Sequence, residues 1–177
     1  MKDILSLVDW NASATVVSLG CGAGWWEVQL MYQKPPKKLI LIDSNSVVLN
    51  ENDLQETFAY FEKVYQKPLT TTVDFYLESA EKTSMPDQEA DVVFLFNSFH
   101  EFDHRENTVQ EMYRICKPGG QIFIEEELAS PTNQVHAECG KALFLEQELI
   151  DLMEKFGFKF LAKSKKDEKA SYLTFEK

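Results

Sequence analysis

The chain has 177 residues, 44% hydrophobic and 27% charged, a globular mixture that suffices for one α/β domain spanning 1–177 and is short for two. Its 29 acidic and 18 basic residues leave a net charge of −11, which argues against nucleic acid and anionic lipid as partners. No apolar run approaches membrane-spanning length, and three scattered cysteines (Cys21, Cys116, Cys139) suit a reducing compartment, so a cytoplasmic protein is expected.

Residues 1–14 read as one short helix with Ile4, Leu5 and Val8 on a face, and MKDILSLVDW lacks the apolar core of a signal peptide. Thr15–Leu19 reads as a strand that runs into Gly20, Gly22 and Gly24. Glycine at alternating positions lets the backbone turn and lets a ligand approach the main chain. A helix over about Gly24–Met31 follows, its first N–H groups unpaired and available to that ligand. Pro35-Pro36 prevents its continuation. Leu39–Ile42 is uninterruptedly apolar, as suits a parallel strand covered on both faces.

Asp43 ends this second strand. The carboxyl ends of neighbouring strands in an open sheet line one crevice, which sets Asp43 beside the glycine loop. A carboxylate there can accept two hydrogen bonds from a ribose diol. Ser44 and Asn45 equally suit the cap of a helix running from Asn45 to about Lys67. Thr71–Leu77 alternates as a third strand, and a fourth, Val92–Phe96 after Asp91, delivers Asn97–Phe102 to the same end of the sheet. His100 has the best placement there for chemistry, since an imidazole can take a proton from a hydroxyl or amine. A pocket wall and a structural role remain alternatives for it.

Glu106–Cys116 is expected as a helix and Gln121–Ile124 as the fifth strand, with Pro118, Gly119 and Gly120 between them. Glu125, Glu126 and Glu127 follow, either to hold a cationic group or as a solvated charge run. Pro131–Ala142 reads as irregular to weakly helical, a substrate lip carrying His136 and Glu138. His136 and Cys139 are three apart with no clear second ligand pair, so no metal is expected. A helix within Leu143–Phe156, a strand Phe158–Ala162, a charged turn Lys163–Lys169 and a strand Ser171–Phe175 antiparallel to its predecessor complete the chain.

Two stretches carry a family resemblance. Leu19-Gly20-Cys21-Gly22-Ala23-Gly24 resembles motif I of the class I S-adenosylmethionine-dependent methyltransferases, and Arg114–Gly120, RICKPGG, resembles an element of their small-molecule-modifying members. A dinucleotide fingerprint needs a small residue where this chain has Trp25, so nicotinamide chemistry is disfavoured. The resemblance implies a three-layer Rossmann-like fold, its seven-stranded sheet mostly parallel with an antiparallel final strand.

It also implies a cofactor, S-adenosylmethionine, whose methionine part lies over Gly20, Cys21, Gly22 and Gly24. Asp43 would hold the ribose and Ser44 flank the purine. Ser79 and Ala80 would face the adenine, and Asn97 would border the methionine portion. Two serines depart from the family pattern. Ser18, toward the cofactor's amino group, stands where an acidic residue is common, and Ser79 where an aspartate often holds the adenine amine. The implied reaction is methyl transfer to oxygen, nitrogen or sulfur of a small-molecule acceptor. Only fourteen residues precede the first strand, so the acceptor pocket is expected to be open, or completed by a second copy or a partner subunit. A catalytically inactive cofactor-binding domain, acting as a partner or regulator, is the alternative.

Overall fold

The computed structural model describes residues 2–177, without the side chains of residues 2 and 3. In chain order its elements are α1 (Lys2–Leu7), β1 (Thr15–Leu19), α2 (Trp25–Gln33), β2 (Lys38–Asp43), α3 (Glu51–Tyr65) and β3 (Thr72–Leu77). There follow β4 (Ala90–Phe96), a 3₁₀ turn (Phe99–Glu101), α4 (Arg105–Ile115), β5 (Cys116–Glu127), α5 (Glu146–Lys155), β6 (Lys159–Lys165) and β7 (Ala170–Glu176).

The strands form one sheet in the order β3-β2-β1-β4-β5-β7-β6. β3, β2, β1, β4 and β5 are parallel, while β7 inserts between β5 and β6 antiparallel to both. This is the expected Rossmann-like methyltransferase architecture, and its strand order reverses between β1 and β4. Such a switch point opens a crevice beyond the carboxyl ends of the strands.

Successive residues of a strand face opposite ways, and the apolar runs use both faces. Val17, Leu19, Ile40, Ile42, Val93 and Leu95 pack with Val109, Met112, Leu149 and Met153 of α4 and α5. Val16, Leu39, Leu41, Val92 and Phe94 pack on the other side with Ile4, Val28, Met31, Leu54 and Phe61 of α1, α2 and α3. The two layers hold the central strands rigid, so their loops share a fixed platform. Asp91 adds a polar tie, accepting from the Thr15 amide at 2.8 Å and from Lys117 Nζ at 2.7 Å.

Several boundaries differ from the sequence reading for local reasons. α3 starts at Glu51 rather than near Asn45, because Asn50 caps it by accepting from the Asp53 amide at 3.0 Å. β6 continues to Lys165, which shortens the charged turn to 166–169, where Asp167 accepts from the amides of Lys169 and Ala170. β5 already begins at Cys116, which pairs with Ala90 across an irregularity in the ladder. Residues 131–142 contain isolated bridges and turns and no helix. Among the described residues, no helix is long and apolar enough to cross a membrane.

Candidate functional site

At the end of β1 the amides of Gly20 and Cys21 both donate to the Ile42 carbonyl of β2, at 2.8 and 3.2 Å. The Gly22 amide donates to Asp43 Oδ2 at 2.8 Å, and Asp43 Oδ1 accepts from the Asn45 amide at 2.9 Å. Gly20, Gly22 and Gly24 have φ of +65°, +54° and +68°, a left-handed conformation that side chains disfavour. Their surroundings differ. A Cβ on Gly20 would come within 2.8 Å of Ser98 Cβ, whereas a Cβ on Gly22 would meet nothing within 4 Å. The loop is thus packed below at Gly20 and open above Gly22.

A cleft of about 210 Å³ lies across these strand ends, lined in part by Gly20, Asp43, Ser44, Ser79, Ala80 and Ser98. Five of the residues singled out in the sequence therefore share one concavity: Gly20, Asp43, Ser44, Ser79 and Ala80. Glu81, Glu101, Phe102 and Asp103 complete the walls. Ser79 has a turn role as well, accepting from the Glu81 amide at 3.2 Å. Cys21, Gly22 and Gly24 belong to the same loop without lining the cleft, and Ser18 is buried below.

Ser18 is joined to a residue the motif reading missed. Its hydroxyl donates to Glu27 Oε1 of α2 at 2.5 Å, and both side chains are fully buried. Burial raises the Glu27 carboxyl from the ordinary 4.5 to about 7, against the opposing hydrogen bond from Ser18. Glu27 Oε2 has no hydrogen-bond partner among the described residues. The Cys21 thiol is pushed well above its ordinary value by burial, then by the charges of Glu27 and Asp43. An acidic residue thus reaches the neighbourhood of Ser18 from the helix. The available signal was a lone glutamate within the apolar stretch Trp25–Tyr32.

Asn97, at φ +50°, turns the chain after β4, its amide donating to the Glu125 carbonyl at 2.8 Å. Ser98 Oγ donates to the Leu19 carbonyl at 3.1 Å, tying the segment to β1. His100 lies outside the cleft and is fully buried. Glu126 Oε1 stands 2.7 Å from its Nδ1, and Glu126 Oε2 accepts from its amide at 3.2 Å. The three glutamates of β5 therefore form no common solvated run. Glu125 pairs with Lys166, Glu126 grips His100, and Glu127 accepts from Asn133 Nδ2 at 2.6 Å.

A second, smaller hollow of about 140 Å³ opens on the α1 side between Ile4, Trp26, Phe96 and Tyr172, with Glu125 and Lys166 at its polar end. The adjacent tryptophans at the start of α2, Trp25 and Trp26, separate here. Trp25 packs against Tyr60 and Phe61 of α3, with ring centroids 4.9 and 4.7 Å away, while Trp26 remains 53% exposed beside the hollow.

The family described as "Methyltransferase domain" matches residues 17–124. The chain is 27% identical over 136 residues to the ubiquinone/menaquinone biosynthesis C-methyltransferase UbiE of Stutzerimonas stutzeri, a stretch covering 73% of this chain and 49% of that protein. It thus spans about half the length of this curated relative. Among solved structures, a SAM-dependent methyltransferase from Aquifex aeolicus matches with a TM-score of 0.72 at 19% identity, over 99% of this chain and 88% of that one. The [4+2]-cyclase SpnF matches with a TM-score of 0.78 at 15% identity, over 99% and 79%. At these identities the structural likeness establishes the fold.

Proposed function

The chain belongs to the methyltransferase-domain family, of the class that uses S-adenosylmethionine, and from that premise we propose that it transfers a methyl group to oxygen, nitrogen or sulfur of a small-molecule acceptor. The observation that supports the reading is the Gly22–Asp43 bond, which sets a carboxylate able to accept from a diol beside a backbone loop with open space at Gly22. The residues fit the cofactor. Asp43 holds one hydrogen bond on each oxygen and retains lone pairs for the ribose hydroxyls. Ser44 flanks the purine, and Ser79 and Ala80 line the adenine end. The methionine part passes over the loop Gly20, Cys21, Gly22 and Gly24, approaching the main chain at the open Gly22, while Gly24, packed on Leu41, shapes the turn. Asn97 borders that part from β4, and Ser18 supports the loop from below with Glu27.

S-adenosylmethionine supplies an electrophilic methyl on a sulfonium. The protein's task is to hold an acceptor lone pair in line with the carbon–sulfur bond that breaks. In this proposal the acceptor occupies the hollow beside Trp26 and Phe96. A second copy or a partner subunit over the exposed Trp26 would complete its wall. His100 has no exposed surface to offer an acceptor, so its part is to position the Asn97–Phe102 segment through Glu126.

Similarity to proteins named as C-methyltransferases supports a second reading, in which the nucleophile is carbon. The same fold in a cyclase shows that architecture alone does not select the reaction.

The test is calorimetric titration with S-adenosylmethionine, S-adenosylhomocysteine and NAD, followed by incubation with oxygen, nitrogen, sulfur and carbon acceptors while S-adenosylhomocysteine release is followed. Micromolar binding of the first two, about −8 kcal/mol, with no response to NAD is expected. No binding of either sulfur ligand overturns the cofactor assignment. Binding without product from any acceptor class favours the inactive partner domain instead.

A further inference from the structure

Behind the cleft, the ends of β4 and β5 meet the long segment between β5 and α5. Three side chains with metal-binding atoms converge there: His100, His136 and Cys139 present one ligand atom each, all within 4.8 Å of one another. The imidazole rings of His100 and His136 lie 4.3 Å apart between centroids. His136 Nδ1 is 3.3 Å from Cys139 Sγ. A turn holds this last pair together, closed by the His136 amide on the Lys141 carbonyl and the Gly140 amide on the His136 carbonyl, both at 2.9 Å.

We propose that His100, His136 and Cys139 form a binding site for a borderline-soft divalent cation, zinc foremost. The independent observation is the state of His100. It is fully buried, Nδ1 is committed to Glu126, and Nε2 has no hydrogen-bond partner among the described residues. A buried ring nitrogen without a partner costs stability, and a metal ion would satisfy it. Zinc bonds of about 2.0–2.1 Å to nitrogen and about 2.3 Å to sulfur set tetrahedral ligand atoms roughly 3.3–3.6 Å apart. The His136–Cys139 pair, at 3.3 Å, is within about 0.3 Å of the nitrogen–sulfur separation, and His100 needs a shift of about an ångström to join it.

The surrounding charges agree. Metal-bound histidines usually direct their other ring nitrogen at a carboxylate or carbonyl, which fixes the tautomer and strengthens the ligand. Here Glu126 takes Nδ1 of His100 at 2.7 Å, and Glu127 Oε2 stands 3.8 Å from Nε2 of His136. Asn97 Nδ2 is 3.4 Å from the same nitrogen and can present its amide oxygen instead after a flip. On binding, the Cys139 thiol gives its proton to solvent, and the cation with one thiolate carries a net +1 that faces three glutamates: Glu126, Glu127 and Glu101, whose Oε1 is 3.9 Å from His100 Nε2. Three protein ligands leave a fourth position for water or an added small ligand.

The site shares His100 with the methyl-transfer reading and adjoins Asn97, but it does not rest on that reading, and its test is separate. Full-length protein stripped with a chelator is titrated with Co²⁺, read by visible and near-ultraviolet absorption, and then with Zn²⁺ in competition. One Co²⁺ per chain is expected, with a thiolate-to-metal charge-transfer band that Zn²⁺ abolishes. Cys139 is exposed, so Cys139→Ser should fold as the parent does. It should lose the band and bind at least about tenfold more weakly. His136→Gln should also weaken binding. Absence of binding, or an unchanged band and affinity in Cys139→Ser, overturns the site. Titration of the same stripped sample with S-adenosylhomocysteine reports the cofactor cleft separately, so failure of one assignment is not mistaken for failure of the other.

Discussion

The amide of Gly22 donates to the carboxylate of Asp43 at 2.8 Å, joining the loop after β1 to the last residue of β2. The carboxylate thereby orients the loop, and in the proposed site it also accepts from the ribose diol. Asp43→Asn keeps the volume but puts an amide nitrogen at one of two positions that now accept from backbone N–H groups. The expected outcome is at least a tenfold loss of affinity for S-adenosylhomocysteine, about 1.4 kcal/mol, measured by calorimetry. Unchanged affinity would remove Asp43 from the ribose.

Gly20 and Gly22 of this loop separate folding from binding. Gly20→Ala brings a methyl within 2.8 Å of Ser98 Cβ and 3.0 Å of Phe102 Cζ, so it should lower stability by about 2 kcal/mol or more. Gly22→Ala meets no protein atom and carries only the left-handed strain of about 1–2 kcal/mol. Its larger effect should be on the cofactor, whose approach the new methyl obstructs. Urea unfolding beside calorimetry distinguishes the two, and parental cofactor affinity in Gly22→Ala would displace the cofactor from this loop.

Glu27 gives the fold a pH dependence of known sign. Its folded carboxyl, raised by burial to about 7, holds a proton that the unfolded chain releases near 4.5. The associated stability is complete below the unfolded value and is lost as pH rises through the folded one. Between about pH 5 and about pH 8 the parent should therefore lose on the order of 1–3 kcal/mol relative to Glu27→Gln, which carries no titrating group there. Urea midpoints at the two pH values check this, and parallel profiles would contradict it.

Gly120 answers to space. A Cβ there would lie 2.6 Å from Cys116 Sγ and 2.9 and 3.1 Å from the carbonyl oxygens of Lys117 and Asp91. Main-chain oxygens cannot swing aside as a side-chain end can, so Gly120→Ala should destabilise by about 1–3 kcal/mol. The thermal midpoint should fall without a change in cofactor stoichiometry.

Much of the fold was legible because its signals are local. Apolar runs of strand length, the glycine series, Asp43 and the RICKPGG stretch each act through near neighbours in the chain. They led to the parallel strands, the antiparallel last strand and the cleft shared by Gly20, Asp43, Ser44, Ser79 and Ala80. The start of α3 was misread because an asparagine cap at Asn50 competed with polar residues just upstream.

The rest was decided through space. Glu125, Glu126 and Glu127 look like one charge run in the sequence, yet each meets a different partner from a different part of the chain. Ser18 reads as a lost acid until α2 brings Glu27 against it. His100 stands in the best place along the chain for a general base, and the packing of β5 buries it under Glu126. Periodicity and motif spacing report which backbone conformation each segment prefers. Partnership and burial depend on distances between segments remote in sequence, and those are set only when the sheet and its two helical layers close.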